Sequence, residues 1–375
     1  MKKLYKFRKN INLICTFLCL IIFAQVFIFP GVGAMAYKTS TVIVSLGDSY
    51  SSGEGIPPFY GEDLPTEQKV KNLDWLAHRS QKSWPGNLTL PGVEGTMSNN
   101  LNTNWYNVAT AGATTKHLTE SFRIDYDHLG YTGYENIPPQ LDVFKELGDK
   151  KADYVTVTLG GNDADFVGVV TDAAFATLNP DLLSTRLDKV WAEFYREGGI
   201  RDNLKQAYIN ISTAAGQQAA IIVAGYPTLI HENGGGFLFK KENVTLLNQA
   251  VSKFNDEIEN IVNSCRAEGM NIHFVSVEEE FKGHEAYSAE PYLNPVMVKQ
   301  SQDITGALIS SYSMHPNEKG AEIYTRCVQK KIDEIEEGKS KETPPDESLP
   351  DVLNYFKSFN SIIIDGLKII TKKSV

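Results

Sequence analysis

The sequence predicts an α/β domain over residues 37–336, with a central parallel sheet covered by helices on both faces. Two observations carry this expectation. Short β-branched runs stop abruptly at glycine, as buried strands do. Stretches with apolar residues at helical spacing lie between them, and strand alternating with helix leads to a parallel sheet buried on both sides.

In chain order, Thr41-Val42-Ile43-Val44-Ser45-Leu46 ends at Gly47 and reads as the first buried strand. Weaker strand character follows at 105–109. Residues 139–147 have helical spacing, and Tyr154-Val155-Thr156-Val157-Thr158-Leu159 then repeats the strand pattern, ending at Gly160. Helices are predicted at 182–194 and 200–215. Ala220-Ile221-Ile222-Val223-Ala224 is a strand ending at Gly225. The longest helical pattern covers 246–266, a strand is expected at 271–277, and a last helix at 317–335 follows His315. Long loops at 57–91 and at 234–239, the latter containing Gly234-Gly235-Gly236, interrupt the series. Over an α/β core, such loops are expected to form part of a binding site.

The two ends differ from this body. Lys2, Lys3, Lys6, Arg8 and Lys9 precede an almost unbroken apolar run at 11–29, and Ala34-Met35-Ala36 supplies small residues for a signal peptidase. Residues 1–36 therefore read as a secretory signal cut before Tyr37. The run also approaches the ~20 residues of a bilayer span, so an uncleaved anchor is the rival reading. Either way the body is expected outside the cytoplasm. The chain has 36 basic and 46 acidic residues, and the first 36 hold five basic and no acidic ones, so the remainder carries 31 against 46, a net −15. So acidic a surface repels phosphate backbones, which argues against nucleic acid as a partner. At the other end, 337–350 reads as a polar linker. Residues 351–375 form an amphipathic pattern with Leu353, Phe356, Phe359, Ile362, Ile363, Leu367 and Ile370 on one side. That helix either docks on its own body or, helped by Lys368, Lys372 and Lys373, touches a membrane surface or a partner.

After removal of the signal two cysteines remain, Cys265 and Cys327. One disulfide and two reduced thiols are both open readings. No CxxC, His/Cys cluster or HExxH motif supports a metal site.

The chemistry lies where strands end, because ligands of open α/β sheets bind beyond the carboxyl ends of the strands. Gly47-Asp48-Ser49 follows the first strand. Gly112, which allows close backbone approach, follows another, and Gly160-Gly161-Asn162-Asp163 follows a third. His315-Pro316-Asn317 precedes the last helix. Ester hydrolysis needs a nucleophile, a base and donors for the developing oxyanion. Ser49, His315, and the set of Ser49 N–H, Gly112 N–H and Asn162 side chain would fill those roles.

Taken together these blocks resemble the SGNH (GDSL) hydrolase superfamily, and within it the secreted actinomycete esterase, lipase and phospholipase branch. The similar segments are Leu46 to Gly55 (LGDSYSSGEG), His78-Arg79-Ser80 with Trp84-Pro85, Ala111 to Thr115 (AGATT), Leu159 to Asp163 (LGGND), Phe281 to Glu285 (FKGHE) and His315-Pro316-Asn317. The resemblance spans about 41–326. It implies a flavodoxin-like three-layer α/β/α sandwich forming a single catalytic domain, and carboxylic ester hydrolysis without a metal or other cofactor. The substrate it implies is an ester, of a lipid or of an acylated carbohydrate. The resemblance also carries the roles above onto Ser49, Gly112, Asn162 and His315, and it puts His284 and Trp84 at the substrate. The aromatic residues Phe59, Tyr60, Trp75 and Trp84 of the long loop would line an acyl groove or stack on a sugar.

Two departures are instructive. Where many relatives carry an Asp three residues before the histidine, this chain has Tyr312. A Ser-His dyad is therefore expected, with the Tyr312 main-chain carbonyl orienting the imidazole and Asp303 as the fallback acid. The cysteines of that branch near positions 77 and 110 are absent, so its disulfide framework is not reproduced. Asp48 and Asp163 read as organisers of their turns.

Overall fold

The computed structural model describes residues 41–125, 133–175, 179, 181–236, 238–298 and 309–342. The signal (1–36), the fallback acid Asp303, His128 and the 351–375 segment lie outside them.

Five strands form one parallel sheet: β1 (Ile43–Gly47), β2 (Trp105–Asn107), β5 (Tyr154–Thr158), β6 (Ala220–Ala224) and β7 (Ile272–Val275), in the order β2-β1-β5-β6-β7. All five residues of β1, β5 and β6 are buried. Alternate residues of a strand face opposite ways, so burial of every one means that both faces are covered, and the fold is the three-layer sandwich expected. Each fully buried Val or Ile in these runs contributes about 1.5–3 kcal/mol, enough to override any local preference for helix. The flanking helices are α2 (Phe166–Phe175), α3 (Leu182–Tyr195), α4 (Ile200–Ala215), α5 (Lys241–Ala267) and α6 (Glu318–Glu342). A single turn, α1 (Ser49–Ser52), follows β1. One core cluster runs through sheet and helices, and a smaller one under the long loop gathers Phe59, Trp75, Leu76 and Tyr312.

The order reverses at β1, whose neighbours are β2 on one side and β5 on the other. That is a switch point, where the chain leaves two adjacent strands in opposite directions and opens a crevice at their carboxyl ends. Ser49, Gly112 and Asn162 follow β1, β2 and β5 respectively, so all three open on it.

Several expectations needed revision. The antiparallel hairpin of β3 (Phe122–Asp125) and β4 (Tyr134–Ile137) is an addition, as is helix α2, whose sequence FVGVVTDAAF is too rich in β-branched residues to read as helical. Residues 139–147 split into a 3-10 turn (Gln140–Asp142) and one α turn (Val143–Glu146). The last helix continues to Glu342, so 337–342 belongs to it rather than to a linker. Charged helix formers and the i,i+3 pair Glu336–Lys339 favour the continuation. Cys265 and Cys327 are both free thiols, the first buried in α5, so of the two readings the reduced one holds. Among the described residues no helix is long and apolar enough to cross a membrane.

Candidate active site

Ser49 owes its position to the residue two before it. Gly47 ends β1 at φ +115°, and a Cβ there would lie 2.1 Å from the Thr158 carbonyl oxygen, so only glycine lets the chain turn this close to β5. Gln140 locks the turn by accepting from the Gly47 N–H (2.7 Å) and donating to its carbonyl (2.8 Å). Asp48 caps α1, its carboxylate accepting from the Tyr50 N–H at 3.0 Å. Ser49 is then the first residue of the turn, and its N–H meets no acceptor among the described residues. An N–H at the start of a helical turn is a ready donor for an anion.

Asp48 is an organiser, as its sequence context suggests, and its reach is longer than a turn. Its carboxylate also accepts from the Thr158 hydroxyl (2.7 Å) and the Tyr226 hydroxyl (2.5 Å), and Tyr226 accepts from the Gly161 N–H (3.1 Å). Burial pushes its pKa up to about 6 against these three hydrogen bonds. Tyr226 lies just past the Gly225 that ends β6. Its only sequence signal was a fourth strand end.

His315, the expected base, arrives from a segment without regular structure. His315 Nε2 and Ser49 Oγ are 2.7 Å apart, hydrogen-bond distance for proton transfer. The other ring nitrogen, Nδ1, lies 3.1 Å from the Ser313 carbonyl. This corrects the expected orienting group. The Tyr312 carbonyl instead accepts from the His315 main-chain N–H at 3.2 Å, closing a turn. Met314 at φ +62° folds the chain back so that the carbonyl two residues before the histidine, not three, faces the ring. Burial lowers the His315 pKa, partly opposed by the charge of Glu54 and by the carbonyls of Ser313 and Ser311.

The other two expected donors lie on the loops after β2 and β5. Gly112 sits at φ +82°, and its N–H, like that of Ser49, has no acceptor among the described residues. The Asn162 amide donates one hydrogen to the Ala113 carbonyl at 2.9 Å, which fixes its orientation and leaves the second hydrogen available. Asp163 ties the two loops together, accepting from the Thr115 N–H (3.0 Å) and hydroxyl (2.6 Å).

Two expected substrate residues fall elsewhere. Trp84 is 1 % exposed, donates to the Tyr50 carbonyl at 2.9 Å and stacks on Tyr324, so it supports the Ser49 turn from behind. His284 stacks on Tyr292 at 3.9 Å, and its Nδ1 meets the Glu290 carbonyl at 2.8 Å; no contact joins it to Ser49 or His315 among the described residues.

Beside Gly161 an apolar cavity with about 50 Å³ of free volume opens between α2, α3 and α5, lined by Ala164, Phe166, Trp191, Tyr226 and Phe254 among others. Phe166 and Tyr226 both pack edge-on against Tyr50, the residue after Ser49.

A parallel three-layer sheet with a serine–imidazole contact at its switch point defines an α/β hydrolase architecture. The chain belongs to the GDSL-like Lipase/Acylhydrolase family, which it matches over residues 43–328. It is an esterase/lipase-type hydrolase. It is 28% identical over 258 residues to a lipase of Streptomyces rimosus, covering 68% of this chain and 77% of that one. Among solved structures, it superposes on an extracellular lipase of Streptomyces rimosus with TM-score 0.52 at 23% identity, covering 78% of this chain and 99% of that one. On phospholipase A1 of Streptomyces albidoflavus the TM-score is 0.53 at 21% identity, again over 78% and 99%.

Proposed function

We propose that this chain is a secreted serine hydrolase of carboxylic esters that works through an acyl-enzyme on Ser49. The observation that carries the reading is the 2.7 Å contact between Ser49 Oγ and His315 Nε2 at the carboxyl end of β1, with Gly112 and Asn162 on the loops that follow the two neighbouring strands. His315 takes the hydroxyl proton as Ser49 Oγ bonds to the ester carbonyl carbon. The oxyanion is held by the Ser49 and Gly112 N–H groups and the free Asn162 amide hydrogen. His315 then gives its proton to the leaving alcohol as the C–O bond breaks. Water, deprotonated by the same imidazole, releases the acid and restores Ser49. The Ser313 carbonyl keeps the tautomer that leaves Nε2 free to accept.

The acyl group is apolar in this reading. The cavity beside Gly161 suits a hydrocarbon chain. Phe59, Trp75 and Trp84 of the long loop are 1 %, 5 % and 1 % exposed, so neither the acyl groove nor the sugar platform expected of them falls to these residues. The basic-then-apolar start of the chain supports export, and the apolar side of 351–375 with its lysines suits contact with a lipid surface.

The test is turnover of p-nitrophenyl esters from acetate to palmitate, with fluorophosphonate labelling of Ser49. Ser49→Ala should lower kcat by at least about 10³-fold and abolish labelling. Full activity in that variant ends the reading, and a preference confined to acetate ends the apolar-acyl part of it.

A further inference from the structure

Two segments that stood out in the sequence have no place in the mechanism above: the end of Ser49-Tyr50-Ser51-Ser52-Gly53-Glu54-Gly55, and His78-Arg79-Ser80. The fold joins them. Glu54 is 2 % exposed, and its Oε2 lies 2.7 Å from Nδ1 of His78, a residue with no exposure at all. Its other oxygen accepts from the Ser311 hydroxyl at 2.6 Å, and Ser311 begins the segment that runs to His315. Gly55, next in the chain, packs directly under the base: a Cβ there would lie 3.3 Å from the His315 Cβ. The Glu54 N–H in turn donates to the Ser49 carbonyl at 3.0 Å. One buried carboxylate is therefore bonded to the nucleophile's turn through its main chain and to the base's segment through its side chain.

A buried carboxylate is costly unless its field is used or matched. His78 matches it incompletely. The Nε2 of His78 is buried without a hydrogen-bond partner among the described residues, so a proton there would be an unpaired buried donor. The His78 ring therefore meets Glu54 through Nδ1 alone, and the other carboxylate oxygen is turned to the segment that carries His315. His78 is also held at φ +51° and stacked on Phe59 at 4.4 Å, a strained backbone maintained by its surroundings.

We propose that Glu54 is a positioning residue for His315, fixing its segment through Ser311 and supplying through space the negative charge that Tyr312 cannot supply in a triad. The proposal rests on Ser49 and His315 being nucleophile and base. Among the described residues, His315 meets Ser49, the Tyr50 ring at 5.0 Å and the Ser313 and Ser311 carbonyls, and feels the charges of Glu54 and His78, of which Glu54 is the anion. Burial by itself raises the Glu54 carboxyl; the field and hydrogen bond of His78, the field of His315 and the Ser311 hydroxyl outweigh it, and the group ends below the usual range. The same interaction read from the other side raises His315, against the burial that lowers it.

The experiment compares wild type, Glu54→Gln and Ser311→Ala on p-nitrophenyl butyrate across pH, with rates normalised to sites titrated by fluorophosphonate. Glu54→Gln should lower kcat per labelled site by about 10- to 100-fold with KM nearly unchanged. It should also move the acidic limb of kcat/KM down by about one pH unit, because an imidazole without a neighbouring anion gives up its proton more readily. Ser311→Ala should shift both in the same direction by less, and it decides the matter if Glu54→Gln does not fold. A loss of packing alone would lower the number of labelled sites and leave the acidic limb in place. An unmoved limb and wild-type kcat per site in the folded variants overturn the proposal. Ser49→Ala run alongside separates the two claims: if it stays active the mechanism fails, and if it alone is dead only the role of Glu54 fails.

Discussion

Asp48 and Glu54 stand on the same short segment, one before Ser49 and one after it, and are 1 % and 2 % exposed. Burial pushes both carboxyls upward, yet Asp48 ends at about 6 while Glu54 ends below its ordinary value. The difference lies in their partners. Asp48 is held by two hydroxyls and one N–H, dipoles that only partly replace water, and it serves the oxyanion side through Tyr226 and Gly161. Glu54 faces two imidazoles and serves the base side. Equal burial thus leaves one carboxyl above its ordinary value, hydrogen-bonded to Tyr226 and Thr158, and one below it, beside His78 and the Ser311 hydroxyl.

The two halves should respond differently to damage. The largest effect is expected on the donor side, where Asn162→Ala removes a hydrogen bond formed only as charge develops. Its kcat should fall about 10²- to 10³-fold with little change in KM, measured by steady-state hydrolysis of a p-nitrophenyl ester. A rise in KM alone would show that Asn162 binds substrate instead. Next comes the pH dependence of stability. The folded pKa of Asp48 lies above its unfolded value near 3.8, so its contribution is fully present below that value and is lost as pH rises through about 6. The shift corresponds to about 3 kcal/mol between those limits. Urea unfolding at pH 4 and pH 7.5 should show wild type losing stability relative to Asp48→Asn by an amount of this order; a constant difference would mean that Asp48 ionises as freely in the fold as outside it. Smallest is Tyr312→Phe. The tyrosine carbonyl serves the main chain of His315, and the side chain packs in the cluster under the long loop, so kcat should change less than about twofold. A loss comparable to that of Asn162→Ala would return Tyr312 to the base side as a working group.

Much of this was legible from residue order alone. The strand at 220–224 and the helix at 200–215 match their predicted bounds, because buried β-branched runs and amphipathic spacing are local signals. Helix α2 was missed because its stability comes from packing against α3 and α5 rather than from its own composition. The same division holds at the site. Ser49, Gly112 and Asn162 follow strand ends, and a strand end announces itself by a glycine. The orienting carbonyl was misplaced by one residue because the left-handed turn at Met314 sets which carbonyl faces the ring, and nothing in a methionine signals φ +62°.

The sequence by itself determined the sheet, the residues at its carboxyl edge and the chemistry they can perform, since each depends on neighbours within a few positions. Only the tertiary structure decided that the Ser313 carbonyl faces the His315 ring, that Trp84 is buried behind the Ser49 turn, that Tyr226 bonds Asp48 and that Glu54 bonds Ser311. Apart from the Ser313 carbonyl, two positions from His315, those contacts join residues far apart in the chain, as far as 257 positions for the Ser311 hydroxyl donating to Glu54. Such pairings come from how the layers pack, and no local pattern of side chains records them.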